Sequence, residues 1–212
     1  MSFRLPCPFD LCYNTAMNKL EGFYELNKLS LPTVEWKQYR GQPLNPQILW
    51  TVRTAVFTGE DFNLPRLVGA TADEATAFAE RTRQSVGENG MVVVYPFFVA
   101  RLSGTLIVNG KNTEIECVLG DLWNLVTHGR ADFSAVYGGE GEQRHFGNRQ
   151  ALKDGDEEFL LSSAERIRRY YREDVASGKS VYAEWSFAQS CDKSKNPVGD
   201  EYPVFYELRT IG

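Results

Sequence analysis

The apolar residues of this chain fall into two rhythms. From Tyr13 to Leu31, "YNTAMNKLEGFYELNKLSL" places Met17, Leu20, Phe23, Tyr24 and Leu26 at helical spacing, and Leu31-Pro32 ends the pattern. "QILWTVRTAVF" is β-branched and aromatic, which predicts a strand with Arg53 inside it. "TADEATAFAERTRQSV" opens on a Thr/Asp cap and is rich in Ala and Glu, so a second helix follows. "MVVVYPFFVARLSGTLIVNGKNTEIECVLG" predicts three successive strands, with Asn109-Gly110 as a hairpin turn and Ser103-Gly104 as a bend. The glycine- and charge-rich "GEGEQRHFGNRQALKDGDEE" reads as a loop leading into the helix "EFLLSSAERIRRYYREDVAS". Two alternating, aromatic-rich strands close the chain, Val181 to Gln189 and Tyr202 to Ile211. The order is that of an α+β protein with a central antiparallel sheet. It lacks the strict alternation of a doubly wound fold.

Composition narrows the function classes. At 212 residues the chain suits one good-sized domain or two lobes sharing a core. A net charge of -5 excludes a broad electrostatic footprint for nucleic acid. No run of about 18 apolar residues and no basic stretch leading into an apolar one is present, so a membrane span and a secretory leader are not expected. Cys7, Cys12, Cys117 and Cys191 show no metal-ligand spacing, and only His128 and His145 supplement them. The expectation is a cytoplasmic protein with reduced thiols.

Four charged residues interrupt apolar strands. Glu184 stands between Ala183 and Trp185, and Glu207 and Arg209 stand two apart on the last strand, hence on one face. If the terminal strands pair, two carboxylates and a guanidinium meet on one sheet surface, an arrangement suited to metal and phosphate. The plainer alternative is a wet sheet face, which antiparallel sheets commonly keep. Arg53 must find an anion within its apolar strand, either a ligand or the nearby Glu60 or Asp61. His128 and His145 are candidates for phosphoryl relay, though a lone loop histidine is ordinarily structural or exposed.

The ordered set of motifs resembles the nucleotide-binding domain of the pyruvate phosphate dikinase, phosphoenolpyruvate synthase and rifampin phosphotransferase family, an ATP-grasp fold. "NKLEGFYELNKLSLPTVEW" has the family's helix and Leu-Gly-Leu-Pro-like turn, and puts its phosphate-binding lysine on Lys19. "VRTAVFTGEDFNLP" is similar to its "VRSSA…ED-LP" segment and carries its phosphate arginine to Arg53. "VVVYPFFVARLSGTLIV" resembles the linker and following strands, and "IECVLGDLWNLVTHGRADFSAVY" the acidic strand and turn. "YAEWSFA" and "YELRTI" take the places of "DIEWA" and "QARP", so Glu184 matches a metal-binding acid, Glu207 the family's glutamine and Arg209 its arginine. The family's glycines before the lysine are absent here, and the stretch after "LPRLVGATADEA" is shorter.

The resemblance implies two lobes, residues 1–95 and 96–212, with a nucleotide cleft between them and a linker near residues 91 to 99. ATP and Mg2+ would be the cofactors. Glu184 and Glu207 would hold magnesium, and Lys19, Arg53 and Arg209 the phosphates, the groups on which catalysis of phosphoryl transfer rests. Adenine would bond backbone groups near Val94, Tyr95 and Phe97. Glutamate in place of the family's glutamine adds a negative charge, expected to tighten metal binding in the absence of nucleotide. The acceptor would be a small molecule or a phosphohistidine protein, with no nucleic-acid or membrane partner. A relative that keeps the fold as a non-catalytic nucleotide sensor or interaction module is the alternative. Without ligands, Lys19 would simply be a solvated helix face and the aromatics core.

Overall fold

A computed structural model describes residues 17, 19–57, 64–123, 125, 129 and 131–212. Glu60, Asp61, His128, Cys7 and Cys12, named above, lie outside the described residues. Two antiparallel sheets organise the chain. The first has four strands in the order β1-β4-β2-β3, comprising β1 (Lys37–Gln38), β2 (Trp50–Val56), β3 (Arg66–Ala70) and β4 (Gly90–Pro96). The second has six in the order β10-β9-β5-β6-β7-β8: β5 (Phe98–Val108), β6 (Thr113–Leu119), β7 (Phe133–Gly138), β8 (Gly141–Gly147), β9 (Ser180–Cys191) and β10 (Pro197–Ile211). Phe97 alone separates β4 from β5, so one residue joins the sheets.

Each sheet has a helix on one face. Helix α2 (Ala72–Val86) begins with a complete capping box between Thr71 and Glu74, which satisfies two orphan donors. Its buried Ala72, Ala75 and Ala79 are small enough to seat the helix closely on Val52, Val92 and Val94. Helix α3 (Asp156–Tyr170), followed by the short α4 (Arg172–Ala176), turns Leu160, Ala164 and Ile167 onto the second sheet. There they meet Leu106, Ile115, Phe133, Trp185, Phe205 and Leu208 in the largest apolar cluster. Helix α1 (Lys19–Lys28), expected in the first lobe, lies instead on β10. A Cβ at Gly22 would come 2.0 Å from the Leu208 carbonyl oxygen, so only glycine permits this approach. Leu20 and Phe23 pack with first-sheet residues, whereas Leu26 enters the second-sheet core.

Two local expectations fail. Ser103-Gly104 makes no bend, because β5 runs unbroken from Phe98 to Val108. Gly104 serves packing instead: a Cβ there would meet the Glu116 carbonyl oxygen at 2.2 Å and the Trp185 ring at 2.5 Å. The stretch read as a loop contains β8, an edge strand exposed along its whole length. Without a buried face it carries no apolar alternation for the sequence to display.

Candidate functional site

One face of the second sheet turns toward the first sheet, and a cleft of about 620 Å³ opens between them. Its volume is that of an ordinary small-ligand site. Arg53 on β2 and Tyr95 on β4 line one wall, and Ser103, Glu184, Ser186 and Tyr206 the other. The terminal strands pair antiparallel, with Glu207 directly opposite Glu184 and Arg209 opposite Tyr182.

A bulge sets this face. The register of β9 and β10 shifts between Phe205 and Glu207, so Tyr206 is the extra residue. Phe205 and Leu208 both enter the helix-side core, while Tyr206 lines the cleft and Glu207 meets Arg53. Strict alternation from Phe205 would have aimed Glu207 at the apolar core.

Charge pairs knit the cluster. Arg53 Nη2 lies 3.0 Å from Glu207 Oε2, and its Nη1 donates to the Tyr206 carbonyl oxygen at 3.4 Å. Arg209 Nε is 3.7 Å from Glu207 Oε1, beyond hydrogen-bond range, and is buried without a hydrogen-bond partner. The Arg209 guanidinium stacks 4.6 Å from the Tyr182 ring centre, and the Tyr182 hydroxyl donates to Glu184 Oε1 at 3.0 Å. Beside them Ser103 Oγ donates to the Gly120 carbonyl oxygen at 2.6 Å, with Ser186 Oγ 2.8 Å away.

Electrostatics follow from this packing. Glu184 keeps an edge open to the cleft but lies deep between the sheets; burial first, and the charge of Glu207 next, push its carboxyl up to about 7 against the pull of Arg53. Burial alone would lower the Arg53 guanidinium, yet Tyr95, Glu207 and Glu184 together hold it above its usual value. Glu207 is only 6% exposed. Its added negative charge is therefore already matched by Arg53. With both acids ionised, two guanidinium groups balance two carboxylates.

The other candidates scatter. Of the charged candidates, Arg53 and Glu184 line the cleft, whereas Glu207 and Arg209, paired behind them, and Lys19, in the first turn of α1, are not among its lining residues. Tyr95 and Phe97 do line it, but Val94 points to the opposite face, against α2. The backbone there is committed as well: Val94 faces Lys37 on one side and Val52 on the other, and the Phe97 N–H donates to the Leu49 carbonyl oxygen at 2.9 Å. His145 is on the exposed β8, 2.8 Å from Glu142, apart from the cleft. Tyr182, Ser103, Ser186 and Arg66 were not foreseen. Tyr182 and Ser186 had a signal, since both share strand parity with Glu184; Ser103 and Arg66 had none.

Among the described residues no group of three or more His, Cys, Asp or Glu is placed to hold a metal, and no helix is long and apolar enough to cross a membrane. Cys117 is a buried free thiol, pushed up to about 12 chiefly by burial, and Cys191 is a free thiol near the surface.

No protein-family model matches the chain, and no curated protein sequence does. Among solved structures, D-alanine-D-alanine ligase from Helicobacter pylori is similar with a TM-score of 0.51 at 11% identity, covering 90% of this chain and 50% of that one. The chain has the ATP-grasp fold. It spans half the length of that ligase. A dinucleotide-forming acetyl-coenzyme A synthetase from Ca. Korarchaeum cryptofilum follows at TM-score 0.49 and 11% identity, covering 92% of this chain and 93% of that one. The macrocyclase MdnC from Microcystis aeruginosa MRC has TM-score 0.41 and 10% identity, covering 86% and 48%. The likeness is to the ATP-grasp fold at large and does not single out the dikinase family.

Proposed function

We propose that the cleft binds ATP with magnesium and that the protein is a phosphotransferase with a small-molecule or protein acceptor. The observation that carries this is the facing of Glu184 and Glu207 on adjacent strands, with Arg53 and Arg209 beside them, at a cleft of an ATP-grasp fold that Arg53 and Glu184 line. Phosphoryl transfer asks the protein for positioning and charge neutralisation rather than covalent chemistry. Those are what this cluster offers.

The donor set fits magnesium. Two carboxylates are hard oxygen donors, and magnesium usually takes one or two of these together with phosphate oxygens and water. The crowding that raises the Glu184 pKa is also what a divalent cation relieves. Glu184 and Glu207 would hold the metal, whose chemistry is to neutralise charge on the phosphates. In their ionised form these carboxylates would take the metal together with the phosphates. Arg53 and Arg209 would orient phosphate oxygens, and Tyr182, bonded to Glu184 Oε1, would hold that carboxylate in place.

A second reading is a nucleotide sensor without turnover. Lys19 stands away from the cleft lining, which leaves the phosphates one expected cation fewer. Calorimetry with ATP, ADP and adenosine, each with and without magnesium, tests the binding; ATP hydrolysis or transfer to candidate acceptors then separates enzyme from sensor. We expect ATP with magnesium to bind best, and Glu184→Gln to lose most of the magnesium dependence while folding normally. Absence of any nucleotide heat, together with an unchanged melting temperature at millimolar ATP, would refute the proposal.

A further inference from the structure

We propose that Arg66 is the residue that receives the polyphosphate tail of the ligand, and that the Trp123 ring is its resting place before the ligand arrives. The inference rests on the nucleotide reading above and names a binding residue that the motifs do not contain.

Its first support is an unresolved repulsion. Arg66 on β3 lies directly opposite Arg53 on β2, and both line the cleft. Like charges facing each other across adjacent strands destabilise a sheet unless an anion sits between them. Glu207 supplies that anion to Arg53. Among the described residues no carboxylate is ion-paired with Arg66. It is exposed, and a ligand reaching Arg53 passes beside it.

The second support is where the guanidinium goes instead. Arg66 Cζ sits 4.7 Å from the centre of the Trp123 ring, which also lines the cleft and is 49% exposed. Trp123 follows β6 of the second sheet, and its backbone N–H donates to Asp121 Oδ1 at 2.8 Å, fixing the turn that presents the ring. The contact therefore spans the mouth of the cleft from one sheet to the other. A guanidinium stacked on an open aromatic face is held more weakly than one bonded to phosphate, so a polyphosphate would draw it away. Arg53 and Arg66 on neighbouring strands present two forks side by side, a match for a chain of phosphates rather than for a single carboxylate.

Arg66→Met tests this, since methionine keeps an apolar stem against Trp123 and removes only the charge. Calorimetry on the folded variant with ATP, tripolyphosphate and adenosine, all with magnesium, should show ATP and tripolyphosphate weakened roughly 10- to 100-fold and adenosine unchanged. Arg66→Lys should recover part of the loss. In the wild type, tripolyphosphate alone should change tryptophan fluorescence, and Trp123→Phe should abolish that change while leaving the other three of the four tryptophans in place. If Arg66→Met binds ATP as the wild type does, or loses adenosine to the same degree, the inference is overturned and the nucleotide site stands. A wild-type protein that binds neither ATP nor tripolyphosphate overturns both.

Discussion

Two clusters of the same composition, each with two acids and two bases, border the second sheet, and they are built to different ends. In one, Arg101 donates from Nε to Glu201 at 2.7 Å, from Nη2 to Asp156 at 2.7 Å and from Nη1 to the Ala151 carbonyl oxygen at 3.1 Å, and Lys153 completes the set beside Glu201. In the other, Arg53 has one short carboxylate contact and one long carbonyl contact, Arg209 Nε has no hydrogen bond, and Glu184 accepts from Tyr182 alone on its own strand. Both clusters sit at register shifts, Arg101 between Ala100 and Leu102 and Tyr206 between Phe205 and Glu207. A bulge aims a charged group out of the alternation in each case. What separates them is saturation: the first cluster ties α3 to β5 and β10 with each nitrogen of its arginine bonded, while the second leaves Arg209 Nε unbonded behind Glu184, which borders the cleft. Incomplete pairing at a buried charged site is a mark of a place where something else is meant to bind.

The largest expected difference is in stability. Arg101→Ala leaves Asp156 and Glu201 without their main partner, which should cost about 3 kcal/mol and lower the melting temperature by roughly 6 to 12 °C. Nucleotide affinity, read by calorimetry below the transition, should stay near the wild-type value. A ligand-affinity loss larger than the stability loss would erase the contrast.

Arg209→Ala should do the reverse. Its 3.7 Å contact to Glu207 contributes little to folding, but its loss should weaken ATP roughly 10- to 100-fold and adenosine hardly at all. A fall in melting temperature matching that of Arg101→Ala would show that Arg209 is part of the frame.

The smallest and most specific effect is with pH. A carboxyl whose pKa is raised on folding binds its proton more tightly in the native state, so Glu184 lowers stability as pH rises from its unfolded value through about 7, and has no further effect above that. Magnesium needs the ionised form. Magnesium-dependent ATP affinity should therefore rise with pH up to about 7, by at most about tenfold per unit, and then level off. Glu184→Gln should flatten the profile; a wild-type profile flat from pH 5 to 8 would mean that Glu184 is not a ligand.

Much of this contrast was legible in the residues, for reasons that differ by element. Thr71 and Glu74 announce α2 because capping is local chemistry, and the terminal strands show themselves because both alternate around buried aromatics. The pairing of Glu184 with Glu207 follows from those strands. Its geometry does not, since parity cannot reveal the extra residue at Tyr206 that makes the pairing compatible with a core containing both Phe205 and Leu208. Arg53 was visible as a charge needing an anion, but its partner lies 154 positions away, not in the adjacent acidic segment. The β8 strand was hidden by its exposure, and Arg66 by being an ordinary surface arginine until the fold set it opposite Arg53. Long-range partners are chosen by topology, which a linear pattern does not encode.

The seat of α1 also has a meaning for how the protein is made. The Met17 N–H donates to Thr210 Oγ1 at 2.8 Å, Thr33 bridges to Phe205, and Gly22 rests on Leu208, so a segment made early is received by β10, made more than 150 residues later. At about 5 to 20 residues per second, Leu20, Phe23 and Leu26 wait some 10 to 40 seconds for β10 to be synthesised. During that interval the nascent chain carries an apolar helix face with no partner, a natural handle for a chaperone. Synthesis of β10 then closes the helix seat and brings Glu207 to Arg53, so that a chain still lacking β10 has neither a completed core nor this charge pair.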